Sequence, residues 1–318
     1  MDKKIIFERK GMSTMSILTV FTPTYNRKHT LIRLYDSLKK QNKKDFIWQI
    51  VDDGSLDNTK EMVEIWKKEG IVNIQYFWQE NQGKPSATNF SINKCKTELW
   101  MCVDSDDVLS EDAVEIIENE YKIIKENNQC CGIVGGKYYI GSEEVVGVDG
   151  KNKYQKKMPS DISYISYEEL TYRRKVKADK NFIFKMSILK DYRYPIIEKE
   201  KFIGESFLYE QLGTKYVYYI SHKKVYFCEY LEDGLTANYL NLHIQSPKGY
   251  KILKEQMMCY PKPFIDKFKG AIMYVAACYL CKDKDIIFNS PRKLMTLLAY
   301  PFGIIAYYKK YYKLVKER

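Results

Sequence analysis

The sequence predicts an α/β protein: a mostly parallel central sheet flanked by helices, followed by a helical extension. Three observations carry this. Short apolar runs alternate with stretches of helical period through about the first 130 residues. Polar clusters follow four of these runs, at 22–26, 52–57, 81–84 and 104–107. Beyond residue 243 the pattern changes to uncharged stretches, 270–281 and 294–308, set among lysines.

The elements follow in order. Residues 17–21 are apolar and β-branched and read as a buried strand ended by Pro23. Leu31, Leu34, Tyr35 and Leu38 give 30–40 a helical period. A second strand covers 46–51, and Asp57 is expected to cap a helix to about Lys68. A strand at 71–78, a helix at 83–95 and a strand at 99–103 come next, and Ser110 is expected to cap a further helix. After 130 the reading is mixed: strands at 132–140 and 182–185, a polar loop at 141–157, helix at 187–192 and 206–215, and one or two strands in 216–230.

The formal net charge is +11 and is unevenly placed. Residues 1–242 hold 37 Lys and Arg against 36 Asp and Glu, whereas 243–318 hold 15 against 5. The composition excludes a disordered tail protein, a collagen and a small disulfide scaffold. Residues 1–15 read as a ragged leader with no secretory core, so the eight cysteines are expected to be reduced, buried, small apolar residues. Cys278 and Cys281 form a CxxC, but no second pair stands at zinc spacing. No segment reaches the ~20 apolar residues of a membrane span. The mixture of apolar residues, tyrosines and lysines after 292 fits a helix lying on an anionic membrane surface, or a packed helix with a basic edge.

The strand-end clusters suggest chemistry, because ligands of such sheets bind at the carboxyl ends of strands. Asp104 and Asp106, one residue apart after an apolar strand, can hold a hard divalent cation or stand as solvated loop residues. Asp53, at a Gly-bearing turn, can accept hydrogen bonds from a base or ribose. Gly83 and Lys84 open a helix and offer N–H groups and a cation to a phosphate. There is no Gly-rich dinucleotide loop after the first strand, no Walker loop and no nucleophile elbow.

Taken in order, TVFTPTYNR at 19–27, VDDGS at 51–55, NQGKPSATN at 81–89 and VDSDD at 103–107 resemble the family 2 glycosyltransferases of GT-A fold, over roughly 16–235. The resemblance implies inverting transfer of a sugar from a nucleotide-diphosphate donor, usually a UDP-sugar, assisted by Mn²⁺ or Mg²⁺. Pro23 and Tyr25 would line the base pocket, Asp53 would bond the uracil, and Asp52 would support that turn. Lys84 would lie near the donor, Asp104 would approach the ribose and sugar, Asp106 would ligate the metal, and Asp107 would help orient the loop. The family's general base comes from a later acidic pair. Here Ser206 replaces the second acid, which leaves Glu205 as the base, with Glu200 and Glu198 as alternates. Arg173, Arg174, Lys175 and Lys177 could meet a phosphate or form a solvated face.

The expected organisation is therefore a leader (1–15), a catalytic domain (16–242) and a basic, aromatic extension (243–318). The catalytic domain divides into a nucleotide-binding half (16–130) and an acceptor half (131–242). The expected activity is glycosyl transfer to a glycan or lipid-linked acceptor of a surface, capsular or exported polysaccharide. The protein would be cytoplasmic and peripheral on the inner face of the cell membrane, with no nucleic-acid partner. A nucleotidyltransferase making a nucleotide-sugar is the alternative, though it wants a Gly-rich basic loop where Pro23 to Arg27 stand. A basic nucleic-acid-binding protein is the other, suggested by the charge alone.

Overall fold

The structure is a computed structural model that describes residues 16–142, 144–147, 153–154, 158–229 and 239–317. The expected leader and much of the 141–157 loop lie outside the described residues. The strands are β1 (Leu18–Thr24), β2 (Phe46–Asp52), β3 (Ile74–Trp78), β4 (Leu99–Cys102), β5 (Val108–Leu109) and β6 (Cys130–Tyr139). They continue with β7 (Val145–Val146), β8 (Lys153–Tyr154), β9 (Tyr164–Ile165), β10 (Lys180–Lys185), β11 (Val217–Ile220) and β12 (Tyr226–Cys228). The helices of the first part are α1 (Lys28–Lys39), α2 (Thr59–Glu69), α3 (Lys84–Lys94), α4 (Ala113–Ile124), α5 (Met186–Leu189) and α6 (Ser206–Leu212). The extension adds α7 (Tyr239–Gln245), α8 (Pro247–Cys259), α9 (Phe264–Cys281), α10 (Lys293–Tyr307) and α11 (Lys313–Lys316).

The main sheet runs β3-β2-β1-β4-β10-β6-β11-β9. Its first four strands are parallel; β10 is antiparallel to both neighbours, and β6 and β11 are parallel again. Both faces are covered, and the strands show it. Val20, Ile50 and Met101 enter one core, while Phe21, Val51 and Trp100 enter the other, as the two-residue period of a strand requires. On the first face Tyr35 of α1 and Trp66 of α2 stack at 4.2 Å, and Trp48 of β2 lies 5.8 Å from Trp66.

Several boundaries differ from expectation for identifiable reasons. β1 continues through Pro23 to Thr24. Pairing with β4 stops at Phe21, so the missing N–H of Pro23 falls where no ladder needs it. Asn58, not Asp57, precedes α2, in a left-handed conformation at φ 60°. Asp57 instead accepts the Lys28 amide at 2.9 Å and the Thr59 hydroxyl at 2.5 Å, tying two helix starts together. α4 begins at Ala113 rather than just after Ser110, because residues 111–112 form a turn closed by the Ala113 amide on the Ser110 carbonyl at 3.1 Å. All eight cysteines are free; Cys130, Cys131, Cys228 and Cys278 are buried as expected, but Cys95, Cys102 and Cys281 are half-buried and Cys259 is exposed at the end of α8. Arg173 and Arg174 pair with Glu168, Glu169 and Asp161, forming a local charge cluster.

In the extension, α9 packs between α8 and α10. Gly303 of α10 allows the close approach, since a Cβ there would stand 2.4 Å from that of Val275. His243 of α7 stacks on Tyr250 of α8 at 3.7 Å, and its Nδ1 is 2.9 Å from the Tyr311 hydroxyl. Burial, with lesser contributions from Lys254 and Lys310, pushes the imidazole pKa down to about 3. A histidine depressed in the folded state stabilises the fold above its unfolded pKa of ~6.5, and that stability is lost as pH falls toward the folded value. We expect the melting temperature to fall as pH is lowered from about 6.5 toward 4, and His243→Phe to flatten that slope. Melting curves across this range check it; parallel slopes would refute it.

Candidate active site

The carboxyl ends of β1, β2 and β4 and the start of α3 surround a cleft of about 670 Å³. Pro23, Tyr25, Asp53, Lys84, Asp104 and Asp106 all line it. Asp52 and Glu205 are not among its lining residues.

The β2 end is held by its two aspartates. Asp52 is fully buried and accepts the Ser55 amide and the Tyr76 hydroxyl, each at 2.7 Å, so it braces the turn from beneath. Asp53 accepts the Gly83 amide at 2.7 Å, the Gln82 amide at 2.9 Å and the Gln79 side chain at 2.6 Å. These bonds join the end of β2 to the start of α3. Gly83 sits at φ +87°, and a Cβ there would stand 1.9 Å from the Lys201 carbonyl oxygen. Only glycine fits, and the 197–205 segment consequently lies directly on the first turn of α3.

Lys84 follows. Its ammonium donates to Asp104 at 2.5 Å and also pairs with Glu205, joining the loop after β4 to the later segment. Burial opposes the charge, but Asp104 and Glu205 outweigh it and hold the ammonium well above its ordinary pKa. Burial likewise raises the Asp104 carboxyl, yet Lys84 and Lys137 outweigh it and hold the group below the usual carboxylate range. Tyr209 donates to Glu205 at 3.3 Å, and Tyr194 donates to its backbone carbonyl at 3.2 Å.

Lys137, near the carboxyl end of β6, is a site residue that the motifs did not announce. Its Nζ lies 3.8 Å from Asp107 and Asp179 and 3.9 Å from Asp104, and 4.5 Å from the centre of the Tyr226 ring. Asp107 also accepts the Tyr226 hydroxyl at 2.6 Å, and burial pushes its carboxyl up to about 8. The available signal was a single lysine inside the apolar run 130–139. Phe202 and, from α7 and the residue after it, Leu242, Gln245 and Ser246 also line the cleft.

Of the alternates for Glu205, Glu200 accepts the Lys248 and Gly249 amides at 3.0 and 2.8 Å, which commits it to the start of α8. Glu198 is largely exposed beside Lys199. Asp106 is held by no salt bridge among the described residues; burial and then Asp104 raise its pKa. A carboxylate in that state suits a hard divalent cation, which would relieve both causes. Among the described residues no group of three or more His, Cys, Asp or Glu converges to hold an ion alone. A cation at Asp106 would therefore draw further oxygens from a diphosphate and water.

Gly83→Ala forces the α3 start and the 201 backbone apart. We expect nucleotide-sugar stabilisation of the protein to fall at least about tenfold in apparent affinity, by thermal shift. Unchanged affinity would show that this junction does not shape the cleft.

Residues 19–193 match the model of glycosyl transferase family 2. The poly(ribitol-phosphate) β-N-acetylglucosaminyltransferase TarP of Staphylococcus aureus is 30% identical over 61% of this chain and 54% of its own. The GalNAc(5)-diNAcBac-PP-undecaprenol β-1,3-glucosyltransferase of Campylobacter jejuni is 25% identical over 90% of this chain and 94% of its own. The crystal structure of S. aureus TarS 1–349 with UDP-GlcNAc superposes with a TM-score of 0.58 at 18% identity, covering 93% of both chains. The chain spans 19% or less of the rickettsial glycosyltransferases it also matches. The matched span carries all four strand-end motifs on a GT-A sheet, and the chain belongs to glycosyl transferase family 2.

Proposed function

We propose that the protein is an inverting, metal-dependent glycosyltransferase. It moves a sugar from a UDP-sugar to a hydroxyl of a lipid-linked glycan, in surface polysaccharide synthesis. The observation that carries this reading is the bridge from Asp104 through Lys84 to Glu205, which sets a donor-side loop opposite a carboxylate from a different segment. The UDP-GlcNAc complex of TarS and the PP-undecaprenol acceptor named for the Campylobacter relative support the donor and acceptor classes.

In this reading Pro23 and Tyr25 border the nucleobase, and Asp53 holds the loop against which it rests. Lys84 meets the diphosphate through its ammonium; the Gly83 amide expected to do so is taken by Asp53, and Pro85 has no N–H to offer. Asp106, with Asp104 beside it, would hold Mn²⁺ or Mg²⁺, which stabilises charge on a leaving diphosphate. Glu205 takes the proton from the acceptor hydroxyl as that oxygen attacks the anomeric carbon from the face opposite the leaving group. Before the donor binds, Glu205 is paired with Lys84. A diphosphate competes for that ammonium and so frees the carboxylate for the acceptor.

In this reading the enzyme works at the cytoplasmic face of an anionic membrane, held there by the extension. No helix among the described residues is long and apolar enough to cross one. On α10, however, Leu294, Leu297, Leu298, Phe302 and Ile305 form one exposed stripe, while Thr296, Ala299 and Gly303 are buried on the opposite face. Arg292 and Lys293 precede the stripe, and Lys309, Lys310, Lys313 and Lys316 follow it. Apolar side chains between cations match an interface with anionic lipid.

Asp106→Ala should lower transfer by on the order of 10²-fold or more, and chelator should do the same to the wild type. Full activity in chelator would refute the metal reading. Glu205→Gln should lower transfer by roughly 10²–10⁴-fold while leaving donor binding intact. Leu297→Glu and Phe302→Glu should each weaken co-sedimentation with phosphatidylglycerol vesicles about tenfold. Binding that survives both would remove α10 from the membrane.

A further inference from the structure

The helix that follows the catalytic half does more than lead into the basic end of the chain. One face of α8 is pressed against the segment 200–210, which carries Glu205. At the first turn of α8, the Lys248 and Gly249 amides donate to Glu200. Gly249 has no room for a side chain: a Cβ there would lie 2.5 Å from the Phe202 carbonyl oxygen and 2.8 Å from Ile203. One turn on, Leu253 packs in the core that holds Ile203 and Phe207, and it would lie 3.2 Å from a Cβ at Gly204. A further turn on, the Gln256 amide donates to the Phe207 carbonyl at 3.0 Å and to Glu210 at 3.3 Å. Gly249, Leu253 and Gln256 share one helical stripe at i, i+4 and i+7.

Lys262, beyond the end of α8, closes the arrangement. Its ammonium is 3.1 Å from Glu210 and 3.2 Å from the Tyr172 hydroxyl, which itself donates to Glu210 at 2.5 Å. The Lys262 and Glu210 side chains are only 1% and 4% exposed. A buried pair of this kind adds little net stability but fixes geometry, and losing one partner leaves the other unpaired in low dielectric. The segment is thus held at Glu200, at 202–204, at Phe207 and at Glu210. Glu205 lies between these anchors and faces away from α8, toward Lys84.

We propose that α8 and Lys262 are a positioning clamp for Glu205. Contacts from the C-terminal extension, outside the family-matched span, set the carboxylate's reach to the acceptor hydroxyl. Gly249, Gln256 and Lys262 are positioning residues that touch no substrate. This rests on the reading of Glu205 as general base. It predicts a particular kinetic pattern, since a misplaced base slows the chemical step and leaves the donor site as it was.

The test uses the full chain and two independent disruptions. Lys262→Met breaks the buried charge pair, and Gln256→Leu removes the bonds to Phe207 and Glu210 without altering any charge. Each should lower kcat for transfer by about 10- to 100-fold. Donor KM and thermal stabilisation by the UDP-sugar should remain within about twofold. In a Glu205→Gln background neither should cost more than about twofold further, because both act through that carboxylate. Three outcomes overturn the clamp. One is transfer by either variant at the wild-type rate while Glu205→Gln is crippled. Another is losses that multiply in the Glu205→Gln background. The third is donor stabilisation that falls together with kcat, the pattern of a structural role alone. If Glu205→Gln itself transfers at the wild-type rate, the base reading fails and the clamp with it, a result distinct from the other three.

Discussion

Two lysines carry the electrostatics on which the cleft depends. The loop after β4 brings Asp104, Asp106 and Asp107 together within one turn, and Asp179 joins them from the residue before β10. Carboxylates crowded into a partly desolvated site repel one another and resist ionisation. Lys84 and Lys137 enter from different elements, the start of α3 and the carboxyl end of β6, and neutralise that charge. Each ammonium would be expensive to bury alone, and each is held charged by the aspartates it serves. Asp106 is left outside this pairing among the described residues, and burial and Asp104 raise its pKa.

The sheet brings these groups together through its order. Parallel β1, β2 and β4 point their carboxyl ends in one direction, so the turns after them share an edge. β10, inserted antiparallel between β4 and β6, then brings Asp179 and Lys137 beside the loop after β4. Asp53 completes the floor by gripping the loop before α3 rather than standing free.

The uneven charge of the chain has a structural counterpart. The near-neutral body balances its cleft internally, lysine against aspartate, and needs no surplus. The surplus belongs to the end of the chain, where α10 alternates an exposed apolar stripe with flanking cations. Between them stand α7 and α8, which belong to the extension by position but touch the cleft and the Glu205 segment. A boundary drawn at 242 by charge therefore falls between Leu242, which lines the cleft, and His243, which locks α7 to α8.

The sequence by itself determined the parallel α/β sheet, the strand ends that carry polar residues, and the family. Those properties are local: an apolar run stops, and a fixed string such as VDSDD or NQGKP follows. Tertiary structure alone decided which charges meet. Lys137 shows nothing in its neighbours along the chain, because its partners lie 33, 30 and 42 positions away at Asp104, Asp107 and Asp179. Glu205 and its alternate Glu200 stand five positions apart in sequence, yet in the fold α8 takes Glu200 and Lys84 takes Glu205. A carboxylate's role follows from the cation or amide that reaches it, and over such separations only the packing of the chain sets that.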